Sequence, residues 1–207
     1  DAAHAFGVRC NGKSILNYGD ISTLSFHATK IFHSIEGGAL IINDDSLVEK
    51  ARYLINFGIK NTEEIPELGT NAKMNEFEAA MGLCVLDDMQ ELNDKRQIVY
   101  EFYEKELEGF ASFQQQNKDS LQNYSYFPII LESEEQLKKV EKALNLKEIS
   151  PRRYFYPSLD TLEYIKPKQY CENSRDISRR ILCLPMYPTL DLGVVKNICD
   201  VIKKSLC

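Results

Sequence analysis

Apolar residues in this chain alternate between the spacing of β-strands and the spacing of α-helices. Residues 21–26 alternate in polarity as a strand does, and the run 38–42 is short and continuously apolar, as in a buried strand. Another strand is predicted over 124–131, and residues 149–156 are expected to be extended. Because helical patterns separate these segments, we predict an α/β chain.

Polar cap residues predict where the helices begin. Ser46, Asn75 and Ser133 each precede an apolar stripe and are followed three residues later by Glu or Gln, which resembles a capping box. Asp191 is predicted to cap the last helix, and residues 174–181 to form a short one. After Asn75 we expect two helical stripes, over 75–89 and 98–109.

The polar segment 111–123 predicts a connection between two domains. It contains the run Gln114–Asn117 and lacks both apolar periodicities. We place the boundary near residue 112, so that residues 1–112 form one domain and residues 113–207 the other.

Composition excludes several classes of protein. The net charge is -6 with lysines and arginines scattered, which argues against a nucleic-acid surface. No apolar run approaches the ~20 residues that cross a bilayer, and no signal peptide is visible, so we predict a cytoplasmic protein with no membrane partner.

The six cysteines are scattered, and we predict that they are reduced, mostly buried thiols. Neither they nor the three histidines have metal-ligand spacing, so we expect no metal.

Lys30 is the first candidate for chemistry. It follows an apolar strand-like segment, a poor place for a solvated charge and a good place for an amine that must lose its proton. Such an amine can condense with an aldehyde to form a Schiff base. The alternative is an ordinary exposed lysine at the end of a strand.

Four motifs place Lys30 in a wider pattern: Asp1–Gly7, Ser25–Lys30, Glu36–Gly38 and Gly69–Glu76. In order and spacing they resemble the DegT/DnrJ/StrS family of pyridoxal-phosphate-dependent sugar aminotransferases. The resemblance implies the aspartate-aminotransferase-like fold, fold type I. Residues 1–112 would then be the C-terminal half of the large cofactor-binding domain, and residues 113–207 the small C-terminal domain.

The resemblance also assigns roles to five residues. Lys30 would hold pyridoxal 5'-phosphate as a Schiff base and move a proton between cofactor and substrate. Asp1 would pair with the pyridine nitrogen, His4 with the phenolic oxygen and Ser25 with the phosphate. Asn71 would reach the cofactor phosphate of the neighbouring subunit, which implies a homodimer with shared active sites. The alternatives are a terminal aspartate, a packing histidine, a strand-edge serine and a turn asparagine.

Two further segments leave their roles open. Lys73 stands where many relatives carry arginine, so a planar two-pronged contact there is in doubt. Residues 152–156, Arg-Arg-Tyr-Phe-Tyr, either line a pocket for a sugar nucleotide or form an aromatic strand of the small domain.

By resemblance, the expected reaction transfers an amino group from glutamate to a nucleotide-linked keto-sugar. Residues 69–74 and 152–157 look most like those of enzymes that aminate position 4 of a 4-keto-6-deoxyhexose, and dTDP-4-keto-6-deoxyglucose is the expected substrate. Surface-polysaccharide synthesis is the expected setting. The alternatives are a dehydratase of the same fold, which carries histidine in place of Lys30, and a non-catalytic binding or regulatory domain.

The chain begins inside the Asp-x-x-His motif. Relatives carry a long segment before this motif, so we expect the chain to be the C-terminal part of a longer one. We expect the isolated piece to be inactive and to associate through exposed apolar faces, because it would lack half of the cofactor cradle.

Overall fold

A computed structural model describes residues 1–207 as two compact units. Unit 1 comprises Asp1–Gln90 and Asn117–Asn123, and unit 2 comprises Glu91–Gln116 and Tyr124–Cys207. The polar segment 111–123 therefore contributes residues to both units. The domain boundary near residue 112 stays a prediction.

The chain contains both strands and helices. The strands are β1 Arg9–Cys10, β2 Lys13–Ser14, β3 Ile21–Ser25, β4 Gly38–Ile42, β5 Ser112–Phe113, β6 Ser120–Leu121, β7 Phe127–Ile130 and β8 Ile181–Leu184. The helices are α1 Val48–Leu54, α2 Glu76–Leu107, α3 Glu134–Asn145, α4 Glu172–Arg180 and α5 Leu192–Leu206, with 3₁₀ turns at Ile15–Asn17, Asp45–Leu47 and Leu159–Thr161. This mixture confirms the α/β prediction. None of the helices combines the length and the apolar character needed to cross a bilayer.

Unit 1 contains an antiparallel pair, β3 and β4, which confirms both predicted strands. The register pairs Ile21 with Ile42 and Ser25 with Gly38. The loop between Ser25 and Gly38 carries Lys30, so the hairpin fixes both ends of the lysine loop. A second small sheet has β1 between β2 and β6.

Three of the four predicted helix caps are confirmed and one is wrong. Asn75 Oδ1 accepts the Glu78 N–H at 3.0 Å at the start of α2. Ser133 Oγ accepts the Gln136 N–H at 3.2 Å, and Asp191 Oδ1 accepts the N–H groups that begin α5. Ser46 does not cap a helix. Its N–H donates to Asp44 Oδ1 at 2.9 Å, because an aspartate two residues earlier caps the 3₁₀ turn that leads into α1.

Helix α2 is one helix of 32 residues rather than two. The residues between the two predicted stripes, 90–97, include neither Gly nor Pro and are mostly good helix formers. Within this stretch Lys95 pairs with Glu91 at 2.5 Å, one turn apart. A gap in the apolar pattern therefore does not interrupt the helix.

Unit 2 is built on the antiparallel sheet β5-β7-β8. One face of the sheet carries Phe127 and Ile129 opposite Leu184 and Leu182, all nearly inaccessible to solvent. This face belongs to the core that also includes side chains of α2, α3 and α5. Strand β8 was not predicted, because its four apolar residues directly follow a helix and periodicity alone does not separate such a run from the helix end.

The extended segment predicted over 149–156 contributes only one residue to the sheet. Arg152 pairs with Cys183 of β8, and the peptide bonds Tyr154–Phe155 and Tyr156–Pro157 are cis.

All six cysteines are free thiols. They are not mostly buried, because Cys84, Cys171 and Cys207 are exposed.

Candidate active site

The loop that carries Lys30 is closed by backbone hydrogen bonds at its base. The Phe26 N–H donates to Gly37 O at 2.8 Å, and the Ser34 N–H donates to Phe26 O at 3.0 Å. Gly37 has a φ of +138°, and a Cβ there would lie 2.7 Å from Ser34 Oγ and from Met74 Cε. Only glycine fits this position without movement of its neighbours, which agrees with the tight turn predicted at Glu36–Gly38.

Lys30 lies in a turn within this loop, where its N–H donates to His27 O at 2.9 Å. The residue is half-buried, and its Nζ takes part in no salt bridge of the chain. The neighbouring His27 is held differently, since its Nδ1 lies 2.8 Å from Thr29 Oγ1 and accepts the Thr29 N–H at 3.2 Å. The lysine amine therefore lies in a fixed loop without a competing carboxylate.

The segment Asp1–His4 runs beside β3. The Ala2 N–H donates to Thr23 O at 2.9 Å, and the Asn123 side-chain amide donates to His4 O and Phe6 O at 2.9 Å each. Burial lowers the pKa of the His4 imidazole, and the positive charge of Lys30 lowers that pKa further. The charge of Lys30 therefore acts on the His4 imidazole in addition to burial.

Asp1 begins the segment that carries His4, and Ser25 directly precedes the loop that carries Lys30. Asp1 is exposed, and its Oδ1 accepts the Ala3 N–H at 2.9 Å. Ser25 ends β3 half-buried, and its hydroxyl oxygen accepts the His27 N–H at a long 3.5 Å. Both side chains keep hydrogen-bonding capacity for a ligand. Their roles toward a cofactor remain predictions.

Three phenylalanines join these segments, and sequence reasoning missed them. The Phe6 ring stacks on Phe32 with centroids 4.3 Å apart, and Phe26 meets Phe32 edge-on at 4.8 Å. Phe26 and Phe32 flank Lys30 in the chain, whereas Phe6 follows His4. The cluster therefore holds the lysine loop and the histidine segment together. Its only sequence signal was that Phe6 and Phe26 lie within two of the motifs and that Phe32 lies two residues after Lys30.

Asn71 lies on a separate loop, whose side chains bond to one another. Lys73 Nζ donates to Asn71 Oδ1 at 2.9 Å and to Asn56 Oδ1 at 3.0 Å, and it lies 4.5 Å from the centre of the Phe57 ring. The hydrogen bonds of the Asn71 side chain lead to Lys73, not to Lys30 or Ser25. Because its oxygen is engaged, Asn71 presents its NH₂ group as the remaining donor.

Close backbone packing fixes the Asn71 loop on the end of α1. The Thr70 N–H donates to Leu54 O at 2.8 Å, and the Ala72 N–H donates to Ile55 O at 3.0 Å. A Cβ on Gly69 would lie 2.1 Å from Gly58 N. Glycine at position 69 thus permits the contact that holds the loop.

A cleft of about 730 Å³ in unit 1 lies beside both loops. Its walls are mainly apolar side chains of β3, β4 and α1. Gly37 at the end of the lysine loop contributes to its lining, as does Lys73 of the Asn71 loop. None of the five predicted site residues lines this cleft: Asp1, His4, Ser25, Lys30 and Asn71 all lie outside its walls.

Comparison with known proteins identifies a common family. The sequence profile of the DegT/DnrJ/EryC1/StrS aminotransferase family matches residues 1–203. A dTDP-4-amino-4,6-dideoxy-D-glucose transaminase of Shigella dysenteriae is 39% identical over 99% of this chain and 58% of its own length. A GDP-perosamine synthase of Vibrio cholerae is 30% identical over 98% of this chain and 57% of its own length.

A solved structure gives the same likeness in three dimensions. The crystal structure of DesI in the presence of its TDP-sugar product has a TM-score of 0.90 and 29% sequence identity, and it matches 99% of this chain and 54% of the DesI chain. The architecture is therefore that of fold type I enzymes. The chain spans somewhat more than half the length of the relatives it matches.

Proposed function

Because the chain belongs to the DegT/DnrJ/EryC1/StrS aminotransferase family, we propose that its full-length gene product transfers an amino group to a nucleotide-linked keto-sugar. Two relatives of 30% identity or more are named as a dTDP-amino-sugar transaminase and a GDP-perosamine synthase, which supports this substrate class. We propose dTDP-4-keto-6-deoxyglucose as the acceptor and glutamate as the donor. The product would serve amino-sugar and polysaccharide synthesis in the cytoplasm.

The side chains around Lys30 fit pyridoxal phosphate, the cofactor of this family. The site offers a half-buried amine, a neutral imidazole beside it, a carboxylate at Asp1 and a hydroxyl at Ser25. These are the groups that an aldehyde, a phenolic oxygen, a pyridine nitrogen and a phosphate require. When bound, the cofactor supplies an electron sink for charge that develops on the substrate carbon.

Lys30 would be the residue that binds the aldehyde carbon and carries the proton during transfer. Its Nζ forms no salt bridge with a carboxylate, so no partner side chain has to be displaced before the amine binds the aldehyde. His4 would donate or accept one hydrogen bond beside it, and its lowered pKa favours the neutral imidazole near pH 7. The observation that carries the proposal is the Phe6–Phe32 ring stack at 4.3 Å, which joins the segment of His4 to the loop of Lys30.

We also propose that two copies of the protein share their active sites. Asn71 is exposed and fixed by Lys73, and its NH₂ group points to no acceptor within its own chain. A side chain that is held rigidly without a local acceptor suits a ligand held by a neighbouring subunit.

The test is covalent labelling of the full-length gene product. Added pyridoxal phosphate should produce a visible absorbance band that borohydride bleaches, with mass fixed on the peptide containing Lys30. Glutamate should shift the band, and a keto-sugar nucleotide should restore it. Lys30→Ala should abolish labelling, whereas Lys13→Ala, an exposed lysine of the same unit, should not. If borohydride fixed the cofactor on other lysines but not on Lys30, the assignment of Lys30 as the Schiff-base lysine would be refuted.

A further inference from the structure

The sheet of unit 2 has a second face, opposite the core. Pro128 of β7 pairs with Cys183 of β8, and Arg152 exchanges two backbone hydrogen bonds with Cys183, at 2.9 and 2.8 Å. Residues two apart on extended backbone share a face. This places Tyr126 on the same side as Cys183. The Tyr154 ring, in the turn that follows Arg152, meets the Tyr126 ring with centroids 5.6 Å apart.

Arg152 is the charged residue of this face. Its guanidinium lies 5.0 Å from the centre of the Tyr154 ring and donates to Tyr154 Oη at 3.3 Å. The residue is exposed, and no carboxylate of the chain pairs with it. The cation is therefore oriented by an aromatic ring but not neutralised.

The adjacent Arg153 is engaged entirely differently. It pairs with Glu134 at 3.2 Å, donates to Arg179 O at 3.3 Å and stacks 3.8 Å above the Tyr156 ring. Arg153 and Tyr156 thus hold the segment to α3 and α4. The two alternatives for residues 152–156 therefore apply to different residues. Arg153 has a structural role, whereas Arg152 has no carboxylate partner and is available to a ligand.

A second guanidinium without a carboxylate lies near Tyr126. Arg96 lies half-buried on α2, and burial lowers the pKa of its guanidinium. It forms no salt bridge. Its Nη1 donates to three main-chain carbonyls at 3.3 to 3.4 Å, those of Tyr124, Ser125 and Met186. Burial raises the pKa of Tyr126, while the charges of Arg152 and Arg96 oppose that rise. Arg96 contacts the main chain at the neighbouring Ser125, and Arg152 contacts the Tyr154 ring that meets Tyr126.

We propose that Tyr126, Arg152 and Tyr154 bind the nucleoside diphosphate part of the substrate, with Arg152 on the phosphate oxygens and the tyrosines against the base or ribose. A guanidinium with unoccupied N–H donors can form a bidentate pair of hydrogen bonds with phosphate oxygens. Aromatic side chains stack on nucleobases of any type. This inference rests on the proposed function, because it assumes a nucleotide-linked substrate.

The amino donor is the other anion that the reaction brings to the protein. A carboxylate of glutamate could also bind a guanidinium. Glutamate, however, has no ring to occupy the surface of Tyr126 and Tyr154, whereas a nucleotide carries both an anionic group and an aromatic base. The pairing of an open guanidinium with two tyrosines therefore favours the nucleotide.

The experiment measures the affinity of the full-length gene product for dTDP, inorganic diphosphate, thymidine and glutamate by calorimetry. Arg152→Gln should weaken dTDP and diphosphate binding by roughly tenfold to hundredfold, the effect of losing a charge-assisted contact. Tyr154→Leu should weaken dTDP and thymidine binding but not diphosphate. Arg179→Gln is the matched control, since Arg179 is also exposed and forms no salt bridge, but it has no cation–π contact with an aromatic ring.

The outcomes separate this inference from the proposed function. The inference is overturned if both variants bind dTDP within about twofold of the parent protein. It is also overturned if dTDP binds neither the parent nor the variants, or if Arg152→Gln weakens the binding of glutamate instead of dTDP. Labelling of Lys30 should be unchanged in Arg152→Gln. If Lys30 is never labelled and Arg152→Gln still loses dTDP, the nucleotide site stands and the transaminase proposal fails. Retained melting temperature shows that the variants are folded.

Discussion

The ammonium group of Lys30 lies close enough to the imidazole of His4 to lower its pKa, in addition to the larger effect of burial. The two residues belong to different segments, one beside β3 and one in the loop after it. Phe6, Phe26 and Phe32 connect these segments. A titration of His4 therefore reports directly on the geometry of the candidate site.

Lys30→Met should raise the pKa of His4 when no cofactor is added. Removing a positive charge makes protonation easier, so the pKa moves up toward 6.5 but stays below it, because burial remains. NMR titration of the imidazole, assigned with His4→Asn, measures this. Lys13→Met removes an equal charge elsewhere in unit 1 and should change nothing. An unaltered His4 titration in Lys30→Met would show that the two groups are not close.

Phe32→Ala should destabilise unit 1 by about 3–5 kcal/mol, because it removes a 7% exposed ring that contacts two others. Phe32→Leu should cost less, since most of the volume is kept. Denaturant unfolding of the full-length gene product gives these values. Leu68→Ala, at a 96% exposed residue, should stay within about 0.5 kcal/mol of the parent. Equal effects of Phe32→Ala and Leu68→Ala would exclude a packing role for the cluster.

Alanine at two glycines should have opposite effects. Gly69→Ala places a Cβ 2.1 Å from Gly58 N, so the Asn71 loop must shift, at a cost of about 1–3 kcal/mol. Gly82→Ala in α2 meets Phe32 and Ser34 at an ordinary 3.6 and 3.5 Å and should gain about 0.5–1 kcal/mol from helix propensity. Thermal unfolding of both variants is the measurement. A stabilising Gly69→Ala would mean that the loop does not dock on α1 in this way.

Asp160→Asn should reduce the acid sensitivity of unit 2. Hydrogen bonds from Ser158 Oγ and the Cys171 N–H, followed by Arg175, lower the pKa of this buried carboxyl from 3.8 to about 2. A lowered folded-state pKa contributes stability that is complete above pH 3.8 and is lost as the pH falls toward 2.

The variant should therefore melt at a lower temperature than the parent at pH 7, with the difference shrinking between pH 4 and pH 2. Thermal unfolding at a series of pH values tests this. Asp88→Asn, an exposed aspartate without a salt bridge, is the control and should leave the profile unchanged. A constant difference between Asp160→Asn and the parent across this range would show that the charge of Asp160 has no part in stability.

Local features of the fold were predictable because they depend on neighbouring residues. The strands β3 and β4 follow from apolar patterns of a few residues, and Ser133 and Asp191 cap helices because their side chains reach N–H groups two or three positions away. Where two local signals competed, as with Asp44 and Ser46, the pattern did not decide between them.

The sequence by itself determined the α/β class, the family likeness and the candidate residues, since residue types and their spacing are written in the chain. Only the tertiary structure decided that Phe6 and Phe32 join the His4 segment to the Lys30 loop, that Lys73 holds Asn71, and that Arg153 is neutralised while Arg152 is not. The physical reason is distance. Packing and charge pairing join residues that are remote in sequence, and short-range patterns carry no information on which of them meet.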